Sequence, residues 1–111
     1  VKTPILIVRK LPAAGMAIFP FILLKNKDYK GDAQIINHER IHLRQQLELL
    51  ILPFYILYFF NYFFNLIKYK NHYLAYRKII FEQEAYDNEN DLNYLKSGSW
   101  FRWLSYFKWT I

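Results

Sequence analysis

The chain has 111 residues, 54% of them hydrophobic and 21% aromatic, no cysteine, and a formal charge of +6 at pH 7. This length supports one hydrophobic core, so a single domain spanning 1–111 is expected. The lack of cysteine excludes a disulfide scaffold, thiolate-held zinc and a thiol nucleophile, leaving His and carboxylate as the metal ligands, while the basic balance draws the surface toward phosphate on nucleic acid or anionic lipid.

In chain order, Ile5 to Val8 and Ala17 to Leu24 are short apolar runs that read as strands, with Pro12, Ala13, Ala14 and Gly15 as the turn between them. The first run is shorter than the roughly 7 to 15 residues of a secretory h-region, so no secretory signal is expected. Pro20 withholds a ladder donor, which places Ala17–Leu24 at a sheet edge. Lys25 to Asp32 is polar, and Asp32 is placed to cap a helix whose first apolar residues are Ile35 and Ile36.

Along that helix Asn37, Arg40, Arg44 and Glu48 form a polar stripe, and Ile36, Leu43, Leu47 and Leu50 an apolar one. His38, Ile41, His42, Gln45 and Leu49 share a third face, turned inward. Pro53 breaks or kinks the helix, because it lacks an amide proton and clashes with the carbonyl four residues back. A second helix is expected from about Phe54 to Ile67. A third runs from His72 to Leu95, stopping before Ser97 and Gly98, and a last from Ser99 to about Thr110. The expected class is α+β, mainly α: a short N-terminal sheet, a histidine-bearing helix and about three further helices.

The run H-E-R-I-H, from His38 to His42, carries the chemistry. Histidines four apart on a helix project to one side and can share an ion, and the Glu beside the first reaches a water on that ion. Random scattering of three histidines produces this pattern on the order of a few times in a thousand. The competing reading makes His38 and His42 core-edge histidines and Glu39 a surface charge. A catalytic zinc needs a third ligand. His72, at a helix start, suits a solvated or capping role, whereas Glu82 shares an inward stripe with Ala75, Ile79 and Tyr86. Glu84 shares its stripe with Arg77, Asn88 and Asp91 and is expected to face water.

These residues resemble the gluzincin metallopeptidases, in which H-E-x-x-H is followed by a glutamate ligand on another helix. The resemblance covers about Ile36 to Tyr86. In the membrane-embedded prenyl-protein peptidases of that clan the second motif is E-x-x-A-D; here Glu82 and Ala85 match, and Tyr86 stands in place of the Asp. The chain is also similar to a group of small bacterial proteins with the patterns N-H-E-x-I-H-x-R-Q-Q-x-E and F-E-x-E-A-Y, matched by Asn37–Glu48 and Phe81–Tyr86. The resemblance implies a minimal zincin-like domain in which His38, His42 and Glu82 hold zinc, Glu39 is the general base, and a peptide or protein is the substrate. Tyr86 either donates to the oxyanion of a tetrahedral intermediate or is a core tyrosine. Gln45 either orients a ligand or packs the helix.

Leu49 to Ile67 is free of charge over 19 residues. As a lone membrane span it would place the histidines and Glu82 on opposite sides, which a shared ion excludes. A buried helix, a re-entrant hairpin and an apolar face lying on a bilayer remain. The aromatic content of Phe54, Tyr55, Tyr58, Phe59, Phe60, Tyr62, Phe63 and Phe64 favours partial membrane contact, and a homo-oligomer interface accounts for it too. Trp100, Trp103, Leu104, Phe107 and Ile111 are expected to form one stripe on the last helix, away from Arg102 and Lys108. No nucleic-acid partner is expected, because the aromatics cluster in an uncharged run instead of alternating with Lys and Arg. The expected setting is the cytoplasm, with membrane association. A non-catalytic zinc-binding or membrane-surface protein is the alternative to an enzyme.

Overall fold

A computed structural model describes residues 3–97 and 100–106. The class is α+β and mainly helical. Three strands, β1 (Ile5–Ile7), β2 (Gly15–Ile18) and β3 (Phe21–Leu24), precede α1 (Ala33–Glu48), α2 (Leu52–Tyr69), α3 (His72–Arg77), α4 (Ile80–Asn88) and α5 (Tyr94–Ser97); short 3-10 turns occupy Lys27–Gly31 and Arg102–Tyr106.

The sheet order is β1-β3-β2. β1 runs parallel to β3 with Ile5 opposite Ile22, and β2 runs antiparallel to it with Gly15 opposite Leu24. The run Ala17–Leu24 is therefore not one edge strand. Pro20 sits in the turn between β2 and β3, where a missing amide proton breaks no ladder bond. β1 and β2 are the edge strands, and β3 is central, with Ile22 and Leu24 fully buried under Leu43 of α1.

Asp32 caps α1 as expected, accepting from the amides of Gln34 at 3.1 Å and Ile35 at 3.2 Å. The break before α2 falls upstream of Pro53, which sits harmlessly in the first turn of α2. The reversal itself is a γ-turn of the rare positive-φ kind at Ile51 (φ 70, ψ −71), closed by the Leu52 amide on the Leu50 carbonyl at 2.9 Å. It turns α2 through 113° from α1. Among the described residues no single helix is long and apolar enough to cross a membrane, and this bent pair is the one combination that passes by length and composition.

The expected helix from His72 to Leu95 is instead broken into α3, α4 and α5 by side chains from other elements. Ile79 is extended, and the Ile80 amide is taken by Asn61 Oδ1 of α2 at 2.9 Å. At the other end of α4, the buried Asn37 Nδ2 donates to the carbonyls of Asn88, Glu89 and Asp91 at 3.2, 2.9 and 3.0 Å. Asn37 thus leaves the polar stripe assigned to it and stops α4 by satisfying its terminal carbonyls.

Phe54, Ile79, Phe81 and Trp103 form one core cluster; Ile41, Ala85 and Tyr94 form another under α1. The expected last helix is described only as the 3-10 turn Arg102–Tyr106, and its apolar stripe divides: Trp103 is buried while Trp100 and Leu104 are exposed. Phe107, Lys108 and Ile111 lie outside the described residues.

Candidate metal centre

The inward face of α1 and the first turn of α4 meet at three buried side chains, His38, His42 and Glu82. Their Nε2, Nε2 and Oε1 atoms converge: His38 to Glu82 at 3.2 Å, His42 to Glu82 at 3.0 Å, and the two imidazole nitrogens 3.2 Å apart. This group could hold a metal ion.

The surrounding hydrogen bonds decide which lone pairs point into the group. His38 Nδ1 lies 2.8 Å from Glu89 Oε1, a carboxylate that only accepts, so Nδ1 carries the proton and Nε2 is left with its lone pair. His42 Nδ1 lies 2.8 Å from Gln45 Oε1. The Gln45 amide cannot be turned round, because its Nε2 donates to the Phe81 carbonyl at 3.0 Å and to Glu84 Oε1 at 2.9 Å. His42 Nδ1 therefore also carries a proton. Tyr58 donates to Glu82 Oε2 at 2.7 Å, which leaves Oε1 for the histidines. Three acceptors thus face one point, a geometry that a cation or a proton must compensate.

Electrostatics follow from that crowding. Burial pulls His42 down, but the Glu82 carboxylate outweighs it and the imidazole is pushed up to about 9. Burial pushes Glu82 up, and His42 and His38 reverse this, holding its carboxyl far below the usual range. Glu39 is raised, chiefly by burial.

Glu39 lines a cavity of about 260 Å³ together with His38, His42 and Glu82. Among the described residues no donor engages its carboxylate. The opposite wall is the start of β2. A Cβ on Gly15 would lie 3.2 Å from Glu39 Oε2, so glycine lets the strand run this close without displacing that carboxylate. The Lys25 amide bonds the Ala14 carbonyl, so antiparallel alternation turns the polar backbone groups of Ala13, Gly15 and Ala17 away from β3. Gln46 closes part of this edge, donating to the Ala17 carbonyl and accepting from the Phe19 amide, both at 2.8 Å. Ala13 to Gly15 remain open beside the cavity.

Tyr86 places its ring edge-on to His38, with centroids 4.5 Å apart, and its hydroxyl lies 2.8 Å from that of Tyr76. Tyr76 lines both the main cavity and a smaller neighbour of about 180 Å³, while Tyr86 lines only the smaller. His72 is exposed at the start of α3, with Nδ1 2.7 Å from the Tyr62 hydroxyl and away from the centre.

One expectation is overturned. Glu84 does not face water; it is 2% exposed, held by Gln45 and by the Tyr94 hydroxyl. The breaks around α4 and the packing of Tyr94 cover the face that helical spacing assigned to solvent. Sequence reasoning also missed Glu89, Tyr58 and Tyr76. Glu89 carried a signal, since Glu82, Tyr86 and Glu89 fall at i, i+4 and i+7 on one face. Tyr58 was read only as one of the aromatics favouring membrane contact, and Tyr76 carried no signal. No family model, curated protein or solved structure matches this chain.

Proposed function

We propose that the chain is a zinc-dependent metallopeptidase in which His38, His42 and Glu82 bind the ion and Glu39 is the general base. The observation that carries this reading is the convergence of three lone pairs whose other hydrogen-bonding positions are all committed. Tetrahedral zinc with ligands at about 2.0–2.1 Å sets its donors roughly 3.3 Å apart. The donor separations of 3.0 to 3.2 Å lie close to that. The absence of cysteine, and a donor set of two imidazoles and one carboxylate, favour zinc with a free coordination position.

Zinc in this position supplies a water of lowered pKa, near 7. The chain's own residues do the rest. Glu39, raised by burial and without a donor among the described residues, would be placed to hold the proton that such a water gives up and to return it to the leaving amine. Glu89 and Gln45 keep the imidazole lone pairs aimed inward, and Tyr58 orients Glu82. The Tyr76 hydroxyl, which lines the cavity and pairs with that of Tyr86, is the donor this reading assigns to an oxyanion. The open backbone from Ala13 to Gly15 offers an extended peptide a strand partner along the cavity, replacing the Ala17–Leu24 edge expected from sequence. An edge strand beside the motif helix, with a glutamate on a later helix, is also what a zincin-like fold would require.

The test is metal content by mass spectrometry on protein purified without chelator, beside Glu39→Gln. One zinc per chain, kept in Glu39→Gln while cleavage of a peptide library is lost, supports the enzyme. Zinc in both proteins with no cleavage by either assigns the ion a structural role. Wild-type protein without zinc refutes the site.

A further inference from the structure

The outer face of α2 is not used by the metal centre. Its inner positions, Phe54, Tyr58, Tyr62 and Asn65, pack on α3, Phe81 and Trp103. Its outer positions, Ile56, Phe59, Phe60, Phe63, Phe64 and Ile67, are between 49% and 77% exposed. Together these six, recurring at intervals of three and four residues, form one exposed apolar stripe along α2, the kind of contiguous patch that marks an interaction surface.

We infer that this face docks the protein on an anionic lipid bilayer, with α2 lying in the plane of the headgroups. The charge pattern selects this occupant. From Leu49 to Phe81 the chain carries no Asp or Glu up to that point, while Lys68, Lys70, Arg77 and Lys78 gather at the end of α2 and along the segment that follows. Lys68, Lys70 and Lys78 are exposed. Phosphate headgroups supply the complement to such a rim; a second copy of this face has no carboxylate to offer it. Two further aromatic side chains outside α2 are also exposed. Tyr73 is exposed on α3, and Phe101 is tethered through its amide to Glu48 at 2.6 Å. A helix with one wide Phe-rich face and flanking lysines has the composition of an interfacial helix. The inference is independent of the metal. Phe59 also lines the main cavity, so docking brings the cavity mouth to the lipid boundary.

The experiment is flotation of the purified full chain with phosphatidylcholine vesicles and with vesicles containing one third phosphatidylserine. The chain is expected to float with the anionic vesicles and to be released by salt. F60S/F64S, which changes only exposed positions, is expected to bind at least tenfold more weakly while its circular dichroism is unchanged. K68Q/K70Q is expected to lose about thirtyfold on anionic vesicles and little on neutral ones. Folded wild-type chain that floats with neither vesicle overturns the inference, as does undiminished binding by F60S/F64S. A stable oligomer that F60S/F64S dissolves, without vesicle binding, assigns the face to a second copy instead.

Discussion

Gln45 Oε1 stands 2.8 Å from His42 Nδ1, and the other end of the same amide is held by the Phe81 carbonyl and the Glu84 carboxylate. One buried side chain therefore selects the tautomer of His42, a candidate metal ligand, and ties it to α4. Glu89 does the same for His38 from beyond the end of α4. The three converging side chains are held as a unit, with a supporting contact behind each of them.

Gln45→Leu tests that support. It removes the acceptor from His42 Nδ1 while keeping a side chain of similar length in the helix. Loss of such an orienting contact weakens metal affinity by about 10- to 100-fold. Competition against a chromophoric chelator should show that loss. Equal affinity in Gln45→Leu and wild type would show that packing alone positions His42.

The raised pKa of His42 makes metal-free and metal-loaded protein respond to pH in opposite directions. In the metal-free chain His42 rises from 6.5 to about 9, despite burial, because Glu82 favours the charged form. A raised folded pKa contributes stability that is complete below the unfolded value and is lost as pH climbs through the folded one. Metal-free protein should lose on the order of 3 kcal/mol as pH rises through this window. With zinc bound, His42 is deprotonated and protons compete with the metal, so stability should rise with pH instead. Urea midpoints across the window, with chelator and with zinc, read both slopes.

Asn37→Ala should unfold α4 from its C-terminal end. Asn37 Nδ2 serves three carbonyls at that end; those of Asn88 and Asp91 keep the Asp91 and Tyr94 amides, and its loss takes the described protein donor from the Glu89 carbonyl. A buried hydrogen-bonding group left unpaired costs about 1–3 kcal/mol. The urea midpoint should fall accordingly. Zinc affinity should fall with it, because Glu89, the partner of His38, directly follows this capped end.

How far the sequence carries depends on whether a feature is local. The inward histidine face of α1 was legible because four-residue spacing and the Asp32 cap are properties of one helix; Glu82 was read inward from a stripe with Ala75, Ile79 and Tyr86, and it is buried although the helix breaks between Ala75 and Ile80. The γ-turn at Ile51 was not, since its positive φ suits no β-branched residue by local preference and survives through packing. The ends of α4 and the burial of Glu84 were illegible for a related reason: Asn61, Asn37 and Tyr94 determine them from other elements, and periodicity contains no information about a neighbour's side chain. Pro20 was read as an edge marker and proved to be a turn marker; the two readings differ only in where the strand is cut.

Gly15→Ala separates catalysis from metal binding at the opposite wall of the cavity. An alanine Cβ would lie 3.2 Å from Glu39 Oε2 and 3.4 Å from its Cγ, closer than side-chain contacts ordinarily come. Glu39 ends in a free carboxylate, so it yields by a few tenths of an ångström while His38, His42 and Glu82, held from behind, stay in place. Metal content and affinity should therefore match wild type. Turnover should not, because a base displaced toward 1 Å costs about 100-fold and a smaller shift proportionately less. A fall of about tenfold in kcat/KM, on a peptide that the wild-type protein cleaves, is the expected result. Full activity in Gly15→Ala would show that Glu39 works from a position the added methyl does not reach, and loss of zinc would show that the strand supports the metal ligands and not the base alone.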